Sequence, residues 1–331
     1  MVHSLLKTLV LDVQNVFMAM SRLAAFRIAI VLKREAKTWL RQGGTLAACA
    51  LLLAACGTLD GGLGSGASRG VRFAELDDPN LANPNASTNN ISSLSEVITR
   101  NPNDAMAYNT RGAAYARAGR FTEAFADFNR AVQLDPNMAP AFLNRGLASR
   151  QTGRNDSALA DFSRAVSIDP NYGAAYVARG NLTRGQGDMQ AAIGDYNRAI
   201  QLNREGAEAY HGRGLAYQAL GDHIRAIADF DGALDRNPYV APPYVGRGQS
   251  YIAVGKFQQA VDDFGAALNV DSKNGEAWAQ RGLALERLGN LKEANESYQK
   301  GLIVDPGNRT ASEGSRRTGG GGGGGSFSFF R

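Results

Sequence analysis

Residues Ala105 to Met138 read AMAYNTRGAAYARAGRFTEAFADFNRAVQLDPNM, and this 34-residue pattern returns five more times, up to Asn308, without an inserted or missing residue. With Ala105 as position 1, position 8 is always glycine (Gly112, Gly146, Gly180, Gly214, Gly248, Gly282) and position 20 always alanine. Apolar residues fall at positions 4, 8, 11, 17, 20, 24, 27 and 30, which is helical spacing in two runs. Each unit therefore reads as a helix pair. A glycine at position 15, Gly119 in the first unit, suits the left-handed residue that ends the first helix. Proline at position 32 (Pro136, Pro170, Pro238, Pro306) stops the second, because it lacks an amide donor and clashes with the preceding turn. A fixed period of this length predicts a solenoid whose repeats bury their faces only against each other.

The pattern aromatic-4, Gly-8, Ala-20, aromatic-24, Ala-27, Pro-32 resembles the tetratricopeptide repeat (TPR) family over Ala105 to Asn308. The resemblance implies an all-α fold, a right-handed superhelical solenoid of antiparallel helix pairs. Small residues at 8, 20 and 27 would let the helices approach. Tyr108, Phe142, Tyr176, Tyr210, Tyr244 and Trp278 would fill the space between repeats.

Outside the repeats the chain divides into a leader (1–55), a linker (56–90), a capping half-repeat (91–104) and a Gly-rich tail (309–331). The net charge is +5 and the pI about 9.2. The leader alone holds seven basic and two acidic residues, so the remainder carries 29 of each and is neutral. That balance gives little electrostatic reason to bind nucleic acid.

The only cysteines, Cys49 and Cys56, lie in the apolar run TLAACALLLAAC, which is too short to span a bilayer as a helix. Preceded by Lys33, Arg34, Lys37 and Arg41, the run reads as a secretory signal. Leu53 to Cys56 resembles the lipobox of bacterial lipoproteins, which implies cleavage before Cys56 and lipid on its sulfur. Cys49 ends a second LAAC, but only Thr45 to Ala48 precede it as apolar core. About thirty residues stand ahead of the basic region, which makes Met18, Met20 and Val31 candidate starts. Gly57 follows the cysteine where an aspartate would favour the inner membrane, so the resemblance points to the outer membrane, facing the periplasm.

Gly, Ser, Asn and Pro dominate from Gly57 to Asn90, the composition of a flexible tether. Leu94, Val97 and Pro102 project onto positions 24, 27 and 32, the second helix of an incomplete repeat. After Asn308 comes a run of seven glycines, Gly319 to Gly325, and then SFSFFR. A glycine run does not fold by itself, so the tail reads as disordered, with Phe327, Phe329 and Phe330 on a flexible arm.

Position 7 is arginine in all six repeats, and position 23 is aspartate in five, with Ser297 in the sixth. Antiparallel helices bring these positions to similar heights, which predicts an internal ladder of Arg–Asp pairs. The alternative is a row of arginines that grips an acidic ligand. In TPR proteins the first helix builds the concave face at positions 2, 5, 6, 9, 12 and 13. Here that implies a partner-binding set of Asn109, Asn144, Arg150, Asn181, Arg184, His211, Gln218, Gln249 and Gln280, mixed with leucines and valines. The lysines of the carboxylate clamp found in chaperone-binding relatives are missing.

Little in the chain points to chemistry. Three histidines (His3, His211, His223) have no zinc spacing with the cysteines. Gly255 and Lys256 imitate the end of a phosphate loop, but Ser250 and Phe257 break the motif. The aspartates of position 23 lie one repeat apart, which gives no close acid–base pair. No catalytic residue, metal, cofactor or small-molecule substrate is expected. The sequence thus reads as a non-catalytic TPR adaptor lipoprotein that binds a protein or peptide in the bacterial cell envelope, attached to the membrane through lipid. Competing readings are a soluble cytoplasmic TPR adaptor and an accessory subunit of an envelope enzyme.

Overall fold

The structure, a computed structural model, describes residues 84–319. The leader, Cys56, most of the linker and the aromatic end of the tail lie outside the described residues. Among the described residues there are fourteen helices and no strand. Helix α1 (Pro84–Arg100) stands alone and six pairs follow: α2 (Ala105–Arg117) with α3 (Phe121–Leu134), α4 (Ala139–Gln151) with α5 (Asn155–Ile168), and α6 (Gly173–Gly185) with α7 (Met189–Leu202). The series continues with α8 (Ala207–Ala219) and α9 (His223–Arg236), α10 (Ala241–Ala253) and α11 (Phe257–Val270), α12 (Gly275–Arg287) and α13 (Leu291–Val304), then a last helix, α14 (Arg309–Gly319). Every first helix of a pair has 13 residues and every second helix 14. Each helix packs on the one before it and the one after it, which makes the array a solenoid of antiparallel pairs.

The turn inside each pair depends on its glycine. All six position-15 glycines have φ between 74° and 92°. The next residue's amide then reaches back to the carbonyl of position 11, as Arg120 does to Tyr115 at 2.9 Å. The turn between repeats uses a device that the sequence reading did not identify. Position 31 is Asp or Asn in every repeat, and its Oδ1 accepts the amide two residues on in all six, as Asp135 does from Asn137 at 2.9 Å. Two repeats carry Arg204 and Ser272 where the others have proline, yet they turn in the same way. The side-chain turn is therefore the general stop, and the proline reinforces it.

The core centres on the position-24 ring rather than the position-4 ring. Phe128, Phe162, Tyr196, Phe230, Phe264 and Tyr298 are completely buried, whereas the position-4 aromatics are half-buried. The cause is glycine. A Cβ at Gly180 would stand 3.0 Å from Tyr196, and one at Gly112 would stand 2.8 Å from Phe128. From the other side the next repeat brings its position 6: a Cβ at Gly212 would meet Tyr196 at 2.5 Å, and one at Gly246 would meet Phe230 at 2.6 Å. Each ring is thus a knob held between two first helices. Burying one contributes about 1.5 to 3 kcal/mol.

Two boundaries differ from those expected. Helix α1 begins at Pro84, so the last seven residues of the stretch read as linker are helical. Proline fits a first turn, and extension from the half-repeat adds one bond per residue fixed. At the other end α14 occupies 309–319, where the tail was expected to start. Asn308 caps it by accepting the amide of Ala311 at 2.9 Å, and Gly314 lies against Tyr298, which covers that ring as position 6 of a seventh repeat would. The last aromatic knob requires a cover, and α14 supplies one.

Candidate partner-binding face

First helices of successive pairs touch one another directly, whereas second helices of successive pairs meet mainly through the first helix between them. The first helices are thus drawn closer together and form the inner side of the curve. Two rows of arginine arise on them.

The position-7 row forms the predicted ladder. Arg111, Arg145, Arg179, Arg213 and Arg247 each donate Nε and Nη2 to both carboxylate oxygens of the aspartate at position 23, at 2.6–2.9 Å. In the sixth repeat Arg281 donates to Ser297 Oγ at 3.0 Å. These forked contacts are charge-assisted, and the hydrogen bond to aspartate raises the affinity of Arg111, Arg179, Arg213 and Arg247 for their protons. Burial has the opposite effect on the partner: it holds Asp263 above the usual carboxylate range, offset only in part by Arg247. The pairs therefore fix geometry more than they add net stability. A row gripping an acidic ligand is excluded for these arginines, because their forks are already filled.

The ladder also extends between repeats. Nη1 of Arg111, Arg145, Arg213 and Arg247 reaches the position-25 side chain of the preceding unit (Ser95, Asn129, Asn197, Asp231) at 2.5–3.0 Å. At the remaining two positions the preceding residue is Ser163 or Gly265, and among the described residues no such bond forms.

The sequence-predicted binding residues divide into three groups. Asn109 and Asn144 are buried, and Asn144 Nδ2 donates to Asn109 Oδ1 at 3.1 Å across the first two repeats. They pin repeats together rather than face a partner, a correction that follows from the close approach of first helices. Gln218 is also committed, donating to the Gly246 carbonyl at 3.0 Å and to Ser250 Oγ at 3.1 Å. Gln280 donates to Glu276 at 2.8 Å on the surface, and the His211 ring lies tilted against Phe230 with centroids 5.8 Å apart, with Gln249 half-buried on the next first helix.

Arg150, Asn181 and Arg184 come together. Tyr196, the position-24 knob of the third repeat, points its hydroxyl inward and donates to Asn181 Oδ1 at 2.7 Å. Asn181 Nδ2 donates in turn to Glu208 at 3.2 Å. The Tyr196 phenol is pushed up by burial and drawn back by a hydrogen bond with Arg184. Burial holds the Arg150 guanidinium below its ordinary value, while the charges of Glu208 and Tyr196 act the other way. At the far end Tyr298 donates to Glu286 at 2.7 Å, and Arg317 of α14 forks onto the same carboxylate at 2.9 and 3.0 Å. That contact holds Glu286 below the usual carboxylate range. Among the described residues no group of three His, Cys, Asp or Glu side chains could hold a metal ion, and no helix is long and apolar enough to cross a membrane.

Family models described as tetratricopeptide or TPR repeat match residues 105–138, 139–172, 180–221, 207–239 and 245–309, together more than half of the chain. The chain belongs to the tetratricopeptide repeat family. No curated protein matches it significantly. Among solved structures, the TPR array is similar to a chain of the APC/C hetero-tetramer Cut9-Hcn1, with a TM-score of 0.61 and 18% identity over 72% of this chain and 47% of that one. It thus spans about half the length of that relative. It is also similar to pilF of Pseudomonas aeruginosa, with a TM-score of 0.59 and 15% identity over 64% of this chain and 97% of that one. PilW, a type IV pilus biogenesis factor, gives a TM-score of 0.58 and 18% identity over 63% of this chain and 97% of that one. At these identities the likeness is one of fold. The TPR fold supports protein–protein interaction, and members of the family are in general scaffolds rather than catalysts.

Proposed function

We propose that this TPR protein is a lipid-anchored scaffold of the bacterial cell envelope, which binds a protein or peptide partner along the face built by its first helices. The observation that carries the reading is the unbroken inner row of first helices, on which Arg150, Asn181, Arg184, His211 and Gln249 remain outside the ladder. Anchoring rests on LAAC ending at Cys56 after a basic stretch and an apolar run. A diacylglycerol there supplies attachment at about 0.8 kcal/mol per buried methylene. The adaptor then serves assemblies of that compartment, such as cell-wall, outer-membrane assembly or secretion machinery.

Two experiments test this reading. Palmitate label should enter the wild-type chain and vanish in Cys56→Ser; a chain that stays unlabelled and partitions with cytosol favours the soluble adaptor. A photo-crosslinker at His211 or Gln249 should capture a partner that one at Gln133 or Gln201, exposed on second helices, does not. Equal capture from both faces would refute the inner-face assignment.

A further inference from the structure

We infer that Arg150 and Arg184 form a receiving site for an acidic side chain, aspartate or glutamate, of a peptide segment lying along the first helices. The inference rests on the peptide-binding reading of that face and names the chemistry of the ligand.

Charge complementarity selects the ligand. The two residues occupy position 12 of the second and third repeats, and both neighbour the same phenol, Tyr196. Among the described residues neither has a carboxylate within ion-pair distance, and Arg184 Nε is buried without a hydrogen-bond partner. A guanidinium carries five donors and cannot shed its charge, so Arg184, partly withdrawn from water with the Tyr196 hydroxyl beside it and its Nε unmatched, lacks solvation that a carboxylate would restore. The counterexample lies five residues away on the same two helices. Arg145 and Arg179, each forked onto an aspartate, show what this chain does with an arginine whose task is structural.

Two further features shape the site. Glu208 lies near enough to act on Arg150 electrostatically, yet its hydrogen bond goes to Asn181. It therefore lowers the affinity for an acidic ligand without filling the site. The junction of the second and third repeats also lacks an inner-face side-chain hydrogen bond among the described residues, unlike its neighbours, which have Asn144 to Asn109 and Asn181 to Glu208. A carboxylate held by both arginines would span that junction.

The test uses the full-length protein against arrayed random octapeptides with amidated C termini, and the same array with free C termini. The expected result is enrichment of Asp or Glu at one position of the amidated array. A selected peptide should weaken at least tenfold with Arg150→Gln or Arg184→Gln, and tighten a few-fold with Glu208→Gln. Unchanged melting curves would show that the variants fold. Binding of neutral and acidic peptides alike, or enrichment that persists in Arg150→Gln/Arg184→Gln, overturns this inference and leaves the peptide-binding face standing. Preference for free C termini alone also overturns it, since the ligand group is then a terminal carboxylate. No binding by either array overturns both readings.

Discussion

Arg179 and Arg184 stand five residues apart on one helix, yet the first is forked onto Asp195 at 2.7 and 2.9 Å and the second has a buried Nε with no acceptor. The same contrast separates Arg145 from Arg150. Position 7 faces the second helix of its own pair, where a carboxylate recurs every 34 residues, so the charge is satisfied by the repeat itself. Position 12 faces inward over the tip of the position-24 ring, where no repeated carboxylate exists. The period explains the first arginine and leaves the second to be explained by a partner.

The largest expected effect would break the structural side of this contrast. Asp195→Ala removes the acceptor of a largely buried arginine and should cost about 2 to 3 kcal/mol in chemical denaturation, below the range for a fully buried pair because Arg179 remains 24% exposed. Adding Arg179→Met should recover part of that loss, and strict additivity of the two changes would remove the pairing. Next, Gly180→Leu drives a side chain into Tyr196, the ring under the proposed site, at a cost of roughly 1 to 3 kcal/mol. An unaltered melting curve would deny the knob its place.

A smaller, local effect sharpens the comparison at the far end, where Glu286 gives an inner-face arginine, Arg317, the partner that Arg184 lacks. Because its pKa is lowered on folding, the clasp contributes stability above the ordinary glutamate value of about 4.3 and loses it as pH falls further. Hydrogen exchange over residues 309–319 should therefore quicken at pH 3 ahead of the central repeats. Smallest of all, Arg184→Gln should change stability by no more than about 0.5 kcal/mol, since it breaks no ion pair. A loss comparable to that of Asp195→Ala would make Arg184 a structural residue after all.

The period, the helix pairs, the turn glycines and the Arg–Asp ladder were legible because each repeats in register, and a recurring pair of positions is evidence of contact. The stop at position 31 was equally periodic but was masked by the proline beside it, and Arg204 and Ser272 reveal it. The covering helix α14 escaped because Gly314 falls at position 6 rather than 8 and a glycine run follows within a few residues. Asn109 and Asn144 could not be separated from the open polar residues by spacing alone. Whether an inner-face side chain is exposed depends on how closely two particular first helices approach, and that distance is set by the size of residues in the neighbouring repeat.

The bonds between repeats are unevenly distributed. Guanidinium rungs or inner-face amides join the first repeat to the second and tie the third, fourth and fifth together, while Gln299 to Ser315 and Arg317 to Glu286 fasten α14. Ser163 and Gly265 leave two seams without a position-7 rung, and across the first of them Arg198 still donates to the Pro170 carbonyl at 3.1 Å on the second-helix side. Pulled from its ends, such a rod should part at those seams, giving way in blocks of repeats instead of one hairpin at a time, and a ligand seated across the first seam would act as a splint.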